Sequence, residues 1–193
     1  TPSHAGGVPV WQWRSQFGDM LHHARKVFVP SQDVLDRIVR YFPHIPLELR
    51  LHPETFDDAT PIVATRQAGE RVRVAIIGAI SIIKGSQVIV DAVRDANARD
   101  LPIEYILIGH TDHPDLNAGM PRFAMTGQYK ESDIGALLEK HQPHIAFIPS
   151  VWPETYCYTL SIALRFGIRP AVFDMGAPAQ RIRELGEHAG ELL

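Results

Sequence analysis

The chain repeats one pattern, in which a short apolar run is followed by a turn of small residues and then by a helical stripe of apolar residues. Continuous apolar runs predict strands that are buried on both faces, as in parallel sheets. The predicted strands lie at residues 27–30, 72–77, 103–109, 122–126, 145–149, 170–174 and 189–193. Strands that alternate with helices favour an α/β fold, with a Rossmann-like parallel sheet and helices on both faces.

The predicted helices carry apolar residues at i, i+3, i+4 and i+7, which is the spacing of one helix face. Three of these stripes are Leu35, Ile38, Val39 and Phe42; Ile89, Ala92, Val93 and Ala96; and Ile134, Leu137, Leu138 and His141. A further helix is predicted over about residues 156–166. Its stripe toward the sheet is Leu160, Ala163, Leu164 and Gly167, which leaves Ile162 off the core face.

The first 70 residues fit this pattern less well. Residues 1–42 predict a helix, a strand and a second helix, with Ser31 capping the second helix, and we interpret them as a remnant of a preceding N-terminal domain. Residues 43–70 are rich in Pro, Thr and Asp and predict a linker. Residues 71–193 then form the Rossmann-like domain. Because the chain starts at Thr1, we expect a fragment or a processed product.

The composition is that of an ordinary folded protein, with 45% hydrophobic and 21% charged residues among 193. A net charge of −3 gives no basic surface for nucleic acid. The longest apolar run, residues 74–83, stops at Lys84 and is too short to be a transmembrane segment. The single cysteine, Cys157, excludes an intrachain disulfide, and with no signal peptide it favours a cytoplasmic location.

Ligands of such sheets bind beyond the carboxyl ends of the strands. The predicted loop over residues 78–85 has this position, with glycines at both ends and Lys84 beside the second one. Such a loop before a helix suits a phosphate group, although a plain strand-to-helix turn with a solvated lysine fits the same residues. The sequence contains no G-x-G-x-x-G after a strand and no P-loop motif, so neither a dinucleotide nor a P-loop site is predicted.

A second candidate segment follows the strand that ends at Pro149 and Ser150. A helix is predicted just after Glu154, and the N–H groups of its first turn favour an anion. Glu154 itself either caps this helix or accepts hydrogen bonds from sugar hydroxyls. Cys157 lies near the helix start, so its thiol is expected to have a lowered pKa. Because no histidine is close to it in sequence, we do not predict a catalytic thiol.

Histidines three residues apart occur at His110 and His113 and at His141 and His144. Neither pair is joined by a cysteine or by a carboxylate at helical spacing, so we predict no metal site.

The segment Ser150-x-x-Pro153-Glu154-Thr155-Tyr156, with Gly167 and Phe173-Asp174-x-Gly176-Ala177-Pro178 after it, resembles the C-terminal half of retaining GT-B glycosyltransferases. The similarity is greatest to bacterial enzymes that build surface polysaccharides. Residues 78–85 match the phosphate loop of this family, which ends in Lys-Gly. Residues 27–31 look like the closing strand of the family's N-terminal domain.

The resemblance implies retaining transfer of a sugar from a UDP- or GDP-type nucleotide-diphosphate donor, without a metal or another cofactor. Lys84 would pair with the diphosphate, residues 155–158 would offer it backbone amides, and Glu154 would hold the sugar hydroxyls. Residues 127–129 lie where the family's nucleotide base contacts backbone. The implied donor-binding residues are Gly78, Lys84, Gly85, Gly127, Gln128, Tyr129, Glu154, Thr155, Tyr156, Cys157, Tyr158 and Ile162.

The acceptor in this family, a glycan or glycolipid, binds mainly to the N-terminal domain, so we expect no turnover from the fragment alone. The full-length protein is expected in the cytoplasm, with a peripheral position at the inner membrane face as an alternative. Ala79 stands where the family usually has an arginine, and Ile162 where it usually has a glutamate for the ribose. Two other interpretations therefore stay open: a degenerate, non-catalytic binding module, and a nucleotide-sugar epimerase of the same architecture.

Overall fold

The computed structural model describes residues 7–52 and 60–193. The chain divides into two compact units, with the boundary between residues 53 and 54. The first unit contains helices α1 (Val10–His23) and α2 (Gln32–Val39) and strands β1 (Val27–Val29) and β2 (Leu47–Leu49). The two strands pair in parallel. The predicted cap is confirmed, because the Ser31 hydroxyl accepts a hydrogen bond from the N–H of Val34 at 3.3 Å.

Three details of the first unit differ from the sequence prediction. The first helix predicted within residues 1–42 forms as α1, but it buries none of its residues. In α2 the buried residue is Val34, and Val39 of the predicted stripe is exposed, because the helix packs against β1 and β2 with its Val34 side. Strand β2 lies within residues 43–70, which were predicted as a linker; it alternates apolar and polar residues and so lacks the apolar run expected of a strand.

The second unit is built on a six-stranded sheet with the order β5-β4-β3-β6-β7-β8, in which every pair of neighbours is parallel. The strands are β3 (Val72–Ile80), β4 (Ile103–Thr111), β5 (Phe123–Met125), β6 (Ile145–Ile148), β7 (Arg169–Val172) and β8 (Glu191–Leu192). The helices are α3 (Ser86–Ala98), α4 (Pro114–Ala118), α5 (Ile134–His141), α6 (Tyr158–Arg165) and α7 (Gly176–Leu185). The predicted Rossmann-like α/β fold is confirmed.

Apolar side chains cover both faces of this sheet. The α5–α6 cluster on one face includes Ala75 and Ile77 of β3 together with Leu138, Ala163 and Phe166. The α3 cluster on the other face includes Ile76 and Ile80 of β3 together with Ile89, Val90 and Val93 of α3. The α7 cluster contains Ile148, Cys157, Leu160, Val172 and Ile182. Burial on both faces explains the continuous apolar runs of the strands.

Strands β3 and β4 extend further than predicted, because they remain paired through Gly78 with Gly109 and Ile80 with Thr111. Residues 78–80, predicted as the start of a phosphate loop, are therefore strand residues. At Gly109, where φ is 144°, a Cβ atom would lie 2.0 Å from the carbonyl oxygen of Gly78, so only glycine fits. Within the described ranges, no helix is long and apolar enough to cross a membrane.

Candidate functional site

A cavity of about 200 Å³ lies at the carboxyl ends of β3 and β6. These neighbouring strands are the point where the strand order reverses, because the chain continues from β3 to β4 on one side and returns to β6 on the other. Ligands of α/β sheets bind at this position. We call it the β3–β6 cavity, and its polar side chains are Lys84, Ser150, Glu154 and Thr159.

A tight turn over residues 81–85 carries Lys84 to the cavity. The N–H groups of Lys84 and Ser86 both donate to the carbonyl of Ser81, at 3.0 and 3.1 Å. Gly85 follows with a φ of 85°, and a Cβ atom there would lie 1.9 Å from the carbonyl oxygen of Pro149. Glycine is thus required at this position by both conformation and space.

The segment after β6 is fastened on two sides. The Val151 N–H donates to the carbonyl of Ile83 at 3.1 Å, which joins it to the lysine turn. On the other side, the Ala177 N–H at the start of α7 donates to the carbonyl of Glu154 at 2.9 Å. Gly176 packs so closely that a Cβ atom would lie 2.8 Å from the Cα of Pro153. These contacts fix the backbone of Glu154 beside the cavity.

The side chains of Lys84 and Glu154 form an ion pair, with 2.6 Å between Nζ and Oε2. The Glu154 side chain is 9% exposed and that of Lys84 is 40% exposed. The structure thus brings together the two residues expected to contact the diphosphate and the sugar, and both line the cavity. Glu154 does not cap α6, because that helix begins at Tyr158 and has no side-chain cap hydrogen bond.

Cys157 lies immediately before α6, with a left-handed φ of 74°. Its thiol belongs to the buried α7 cluster, and Sγ lies 3.2 Å from the Thr159 hydroxyl. Burial raises the pKa of the Cys157 thiol, and the nearby Glu154 charge raises it further. The expected lowering of this pKa is therefore wrong, because the side chain points into apolar surroundings.

The other expected donor-binding residues differ in their exposure. Thr155 and Tyr158 are exposed, whereas Tyr156 is buried with its ring edge-to-face against Tyr158 at 5.0 Å between centroids. Gln128 is exposed in the loop after β5, and half-buried Tyr129 packs against the α5–α6 cluster, where burial raises the pKa of its phenol. Residues 127–129 do not line the β3–β6 cavity, and their contact with a base stays a prediction.

Ile162 is half-buried and packs against the α5–α6 cluster. The prediction that it lies off the core is therefore wrong, whereas Leu160 and Ala163 of the predicted stripe are fully buried. Gly167, expected on that stripe, is exposed and has a φ of 67°, because the helix ends at Arg165 and Gly167 turns the chain after it. A role for Ile162 beside the ribose stays a prediction.

One residue near the site was not found from the sequence. Arg181 of α7 donates hydrogen bonds to the carbonyl oxygens of Tyr156 and Cys157 and to the hydroxyl of Ser161. All three acceptors lie at least 20 residues away in the chain. The local pattern around Arg181 shows only a solvated helix position and gives no signal of these contacts.

Two larger cavities are not lined by residues at the carboxyl end of a strand. One, of about 260 Å³, lies at the opposite edge of the sheet and contains Arg73 and Arg122. Arg73 is held by Glu70 and by the carbonyl of Gln142, and Arg122 by backbone carbonyls. The other, of about 370 Å³, lies between residues 60–63 and α5. No three metal-ligating side chains gather anywhere in residues 7–52 and 60–193.

No family model matches the sequence, and no curated protein does either. Solved structures of similar fold do match. TarM is 12% identical, with 99% of this chain and 37% of TarM covered and a TM-score of 0.73. HepE from Anabaena, solved in complex with UDP-glucose, is 15% identical over 96% of this chain and 54% of HepE, with a TM-score of 0.72. The C-terminal domain of LpcC, a glycosyl transferase group 1 family protein from Francisella tularensis, is 17% identical over 73% of this chain and 80% of that domain, with a TM-score of 0.53.

The similar structures are GT-B glycosyltransferases, which confirms the fold resemblance inferred from residues 149–178. At 12% to 17% identity, the similarity shows the fold. This chain spans 37% of TarM and 54% of HepE, about half or less of each.

Proposed function

We propose that this chain is the part of a GT-B glycosyltransferase that binds the nucleotide-diphosphate sugar. The observation that carries the proposal is the ion pair of Lys84 and Glu154 in the β3–β6 cavity. The two side chains offer a cation for a diphosphate and a carboxylate for sugar hydroxyls, side by side at the ligand-binding edge of the sheet. HepE, which has a similar fold, was solved with UDP-glucose, and this supports a nucleotide sugar as the ligand.

Lys84 stabilises the leaving diphosphate in this proposal. When the bond between sugar and phosphate breaks, negative charge develops on the diphosphate, and a preorganised cation lowers the energy of that state. The N-terminus of α6 lies beside the cavity and adds a partial positive charge. Together these groups stabilise the developing charge without a metal ion.

Glu154 binds the sugar in this proposal. A carboxylate beside a diphosphate is repelled by it, so its favourable partner is a neutral hydroxyl group. Donor binding then exchanges partners: Lys84 moves from Glu154 to the diphosphate, and the sugar hydroxyls donate hydrogen bonds to Glu154. A nucleotide sugar satisfies both residues, whereas a free nucleoside diphosphate satisfies Lys84 alone.

The finer proposal is retaining transfer to a glycan or glycolipid acceptor in polysaccharide or glycoconjugate synthesis. It is supported by the resemblance of residues 150–156 to retaining enzymes that build surface polysaccharides. The rival interpretation, a degenerate binding module, is favoured by Ala79, which lines the cavity where the family usually has an arginine.

Calorimetric titration of the chain with UDP, GDP and ADP, with their monophosphates and with a UDP- and a GDP-sugar, tests this function. We expect one diphosphate to bind, its monophosphate to bind about tenfold or more weakly, and Lys84→Ala to reduce diphosphate affinity to a similar extent. Lys140→Ala, an exposed lysine at the end of α5, is the matched control and is expected to bind as the unchanged chain does. Absence of binding by all of these nucleotides contradicts the proposal.

A further inference from the structure

Arg181 holds the turn that leads into α6. One of its terminal nitrogens donates to the carbonyl oxygens of Tyr156 and Cys157, both at 3.2 Å. The other donates to the Ser161 hydroxyl at 3.0 Å. The guanidinium carbon also lies 4.8 Å from the centre of the Tyr156 ring. A single side chain of α7 thus contacts both the turn and α6.

The turn held by Arg181 is strained. Cys157 has a φ of 74° and a ψ of 86°, and side chains other than glycine seldom adopt this region. Such a conformation persists where its surroundings fix it. The two carbonyls that Arg181 contacts belong to the peptide groups on either side of the Cys157 Cα, so Arg181 fixes both.

The orientation of these carbonyls also sets the direction of two N–H groups. In a planar trans peptide the C=O and the N–H point in opposite directions. Because the carbonyls of Tyr156 and Cys157 point at Arg181, the N–H groups of Cys157 and Tyr158 point away from it. These are two of the backbone amides expected to contact the donor diphosphate.

From this geometry we infer that Arg181 is a positioning residue of the diphosphate site, which keeps the N–H groups of Cys157 and Tyr158 directed toward the donor. The inference rests on the proposed function. Arg181 is not among the residues that line the β3–β6 cavity in the described structure, so it acts through the turn. Its planar fork reaches three acceptors at once, whereas a lysine ammonium carries the same charge without this geometry.

The experiment compares Arg181→Ala and Arg181→Lys with Arg183→Ala, an exposed arginine of the same helix that pairs with Asp174 at the surface. Two quantities are measured for each full chain: the affinities for UDP, GDP and ADP, and the rate at which a thiol reagent labels Cys157, the single cysteine. Cys157 is 4% exposed, so the rate of its labelling reports on opening of the turn, whether or not a nucleotide binds. Leu138→Ala, in the α5–α6 cluster, is a control for general destabilisation.

We expect both Arg181 variants to bind the nucleoside diphosphate about tenfold or more weakly and to label about tenfold or more rapidly. Arg183→Ala is expected to behave as the unchanged chain, and Leu138→Ala to keep its nucleotide affinity and to label more slowly than the Arg181 variants. If Arg181→Ala does not fold, Arg181→Lys decides the question.

Native affinity in Arg181→Lys would mean that charge alone suffices and would overturn the inference. So would slow labelling of both Arg181 variants, or rapid labelling with unchanged affinity. Equally rapid labelling of Leu138→Ala would overturn the claim about the turn. An unchanged chain that binds none of the nucleotides overturns the proposed function, and with it the role of Arg181 in binding, whereas the labelling rates still show whether Arg181 holds the turn.

Discussion

The two members of the ion pair in the β3–β6 cavity have unequal access to water. Glu154 is 9% exposed at its side chain, and Lys84 is 40% exposed. Removal of the lysine therefore leaves a carboxylate buried without its cation, whereas removal of the glutamate leaves an ammonium group that still reaches solvent. A charge buried without a partner is much more costly than a solvated one. The two single substitutions thus have different consequences.

Lys84→Ala is expected to lower the free energy of unfolding by about 1–3 kcal/mol, less than the loss typical of a fully buried pair because the lysine is partly exposed. Chemical denaturation of the variant and of the Lys140→Ala control measures this difference. In the double variant Lys84→Ala/Glu154→Gln, most of the lost stability should return, since no buried charge remains. A loss that is unchanged in the double variant would contradict the ion-pair account.

Glu154→Gln is expected to separate the free nucleotide from the nucleotide sugar. Without the carboxylate, Lys84 is released for the diphosphate, so the free nucleoside diphosphate should bind as well as before or up to about tenfold more tightly. The nucleotide sugar should lose its advantage over the free nucleotide, because its hydroxyls lose a charged acceptor. Parallel titrations of the two ligands measure the ratio. Equal losses for both ligands would show that Glu154 does not bind the sugar.

At the level of elements, the sequence predicts most of the second unit because each strand buried on both faces is an apolar run. The exceptions have physical causes. Strand β2 is short and alternates apolar with polar residues, and the ends of β3 and β4 are kept in the sheet by pairing between them. The same distinction between local sequence and distant contacts holds for the site. Lys84 and Glu154 are recognisable from local motifs, whereas their pairing and the contacts of Arg181 join distant segments.

The turn between β3 and α3 requires glycine at position 85 for two reasons, its left-handed conformation and the lack of space for a Cβ atom. A glycine of similar conformation elsewhere allows the two reasons to be separated. Gly85 has a φ of 85° and no room for a Cβ atom; Gly69 has a φ of 84° but its Cβ would meet no described atom within 4 Å. Gly69→Ala should therefore cost only the conformational strain, about 1–2 kcal/mol. Gly85→Ala should cost about 4 kcal/mol or more, because the backbone of Pro149 must also move.

Denaturant titration of the two alanine variants provides the comparison. Equal losses of stability in Gly85→Ala and Gly69→Ala would contradict the close approach of the turn to Pro149.

For the whole molecule, the important feature is that the proposed site lies entirely in the second unit. The three apolar clusters, the β3–β6 cavity and Arg181 all belong to residues after the division at 53 and 54. A chain of residues 54–193 should therefore fold and bind the same nucleotide with an affinity within about threefold of the longer chain. Circular dichroism and calorimetry measure these two properties. A truncated chain that folds but does not bind would place part of the site in the first unit.

The central claim, that the β3–β6 cavity binds a nucleoside diphosphate, is tested most directly by mapping amide chemical shifts in ¹H–¹⁵N spectra of the labelled chain as the diphosphate is added. The account predicts that the largest shifts occur at residues 81–85 and 154–159, with no comparable change in Lys84→Ala at the same concentration. Shifts centred on the cavity around Arg73 and His141 at the opposite edge of the sheet, or no shifts at all, would contradict it.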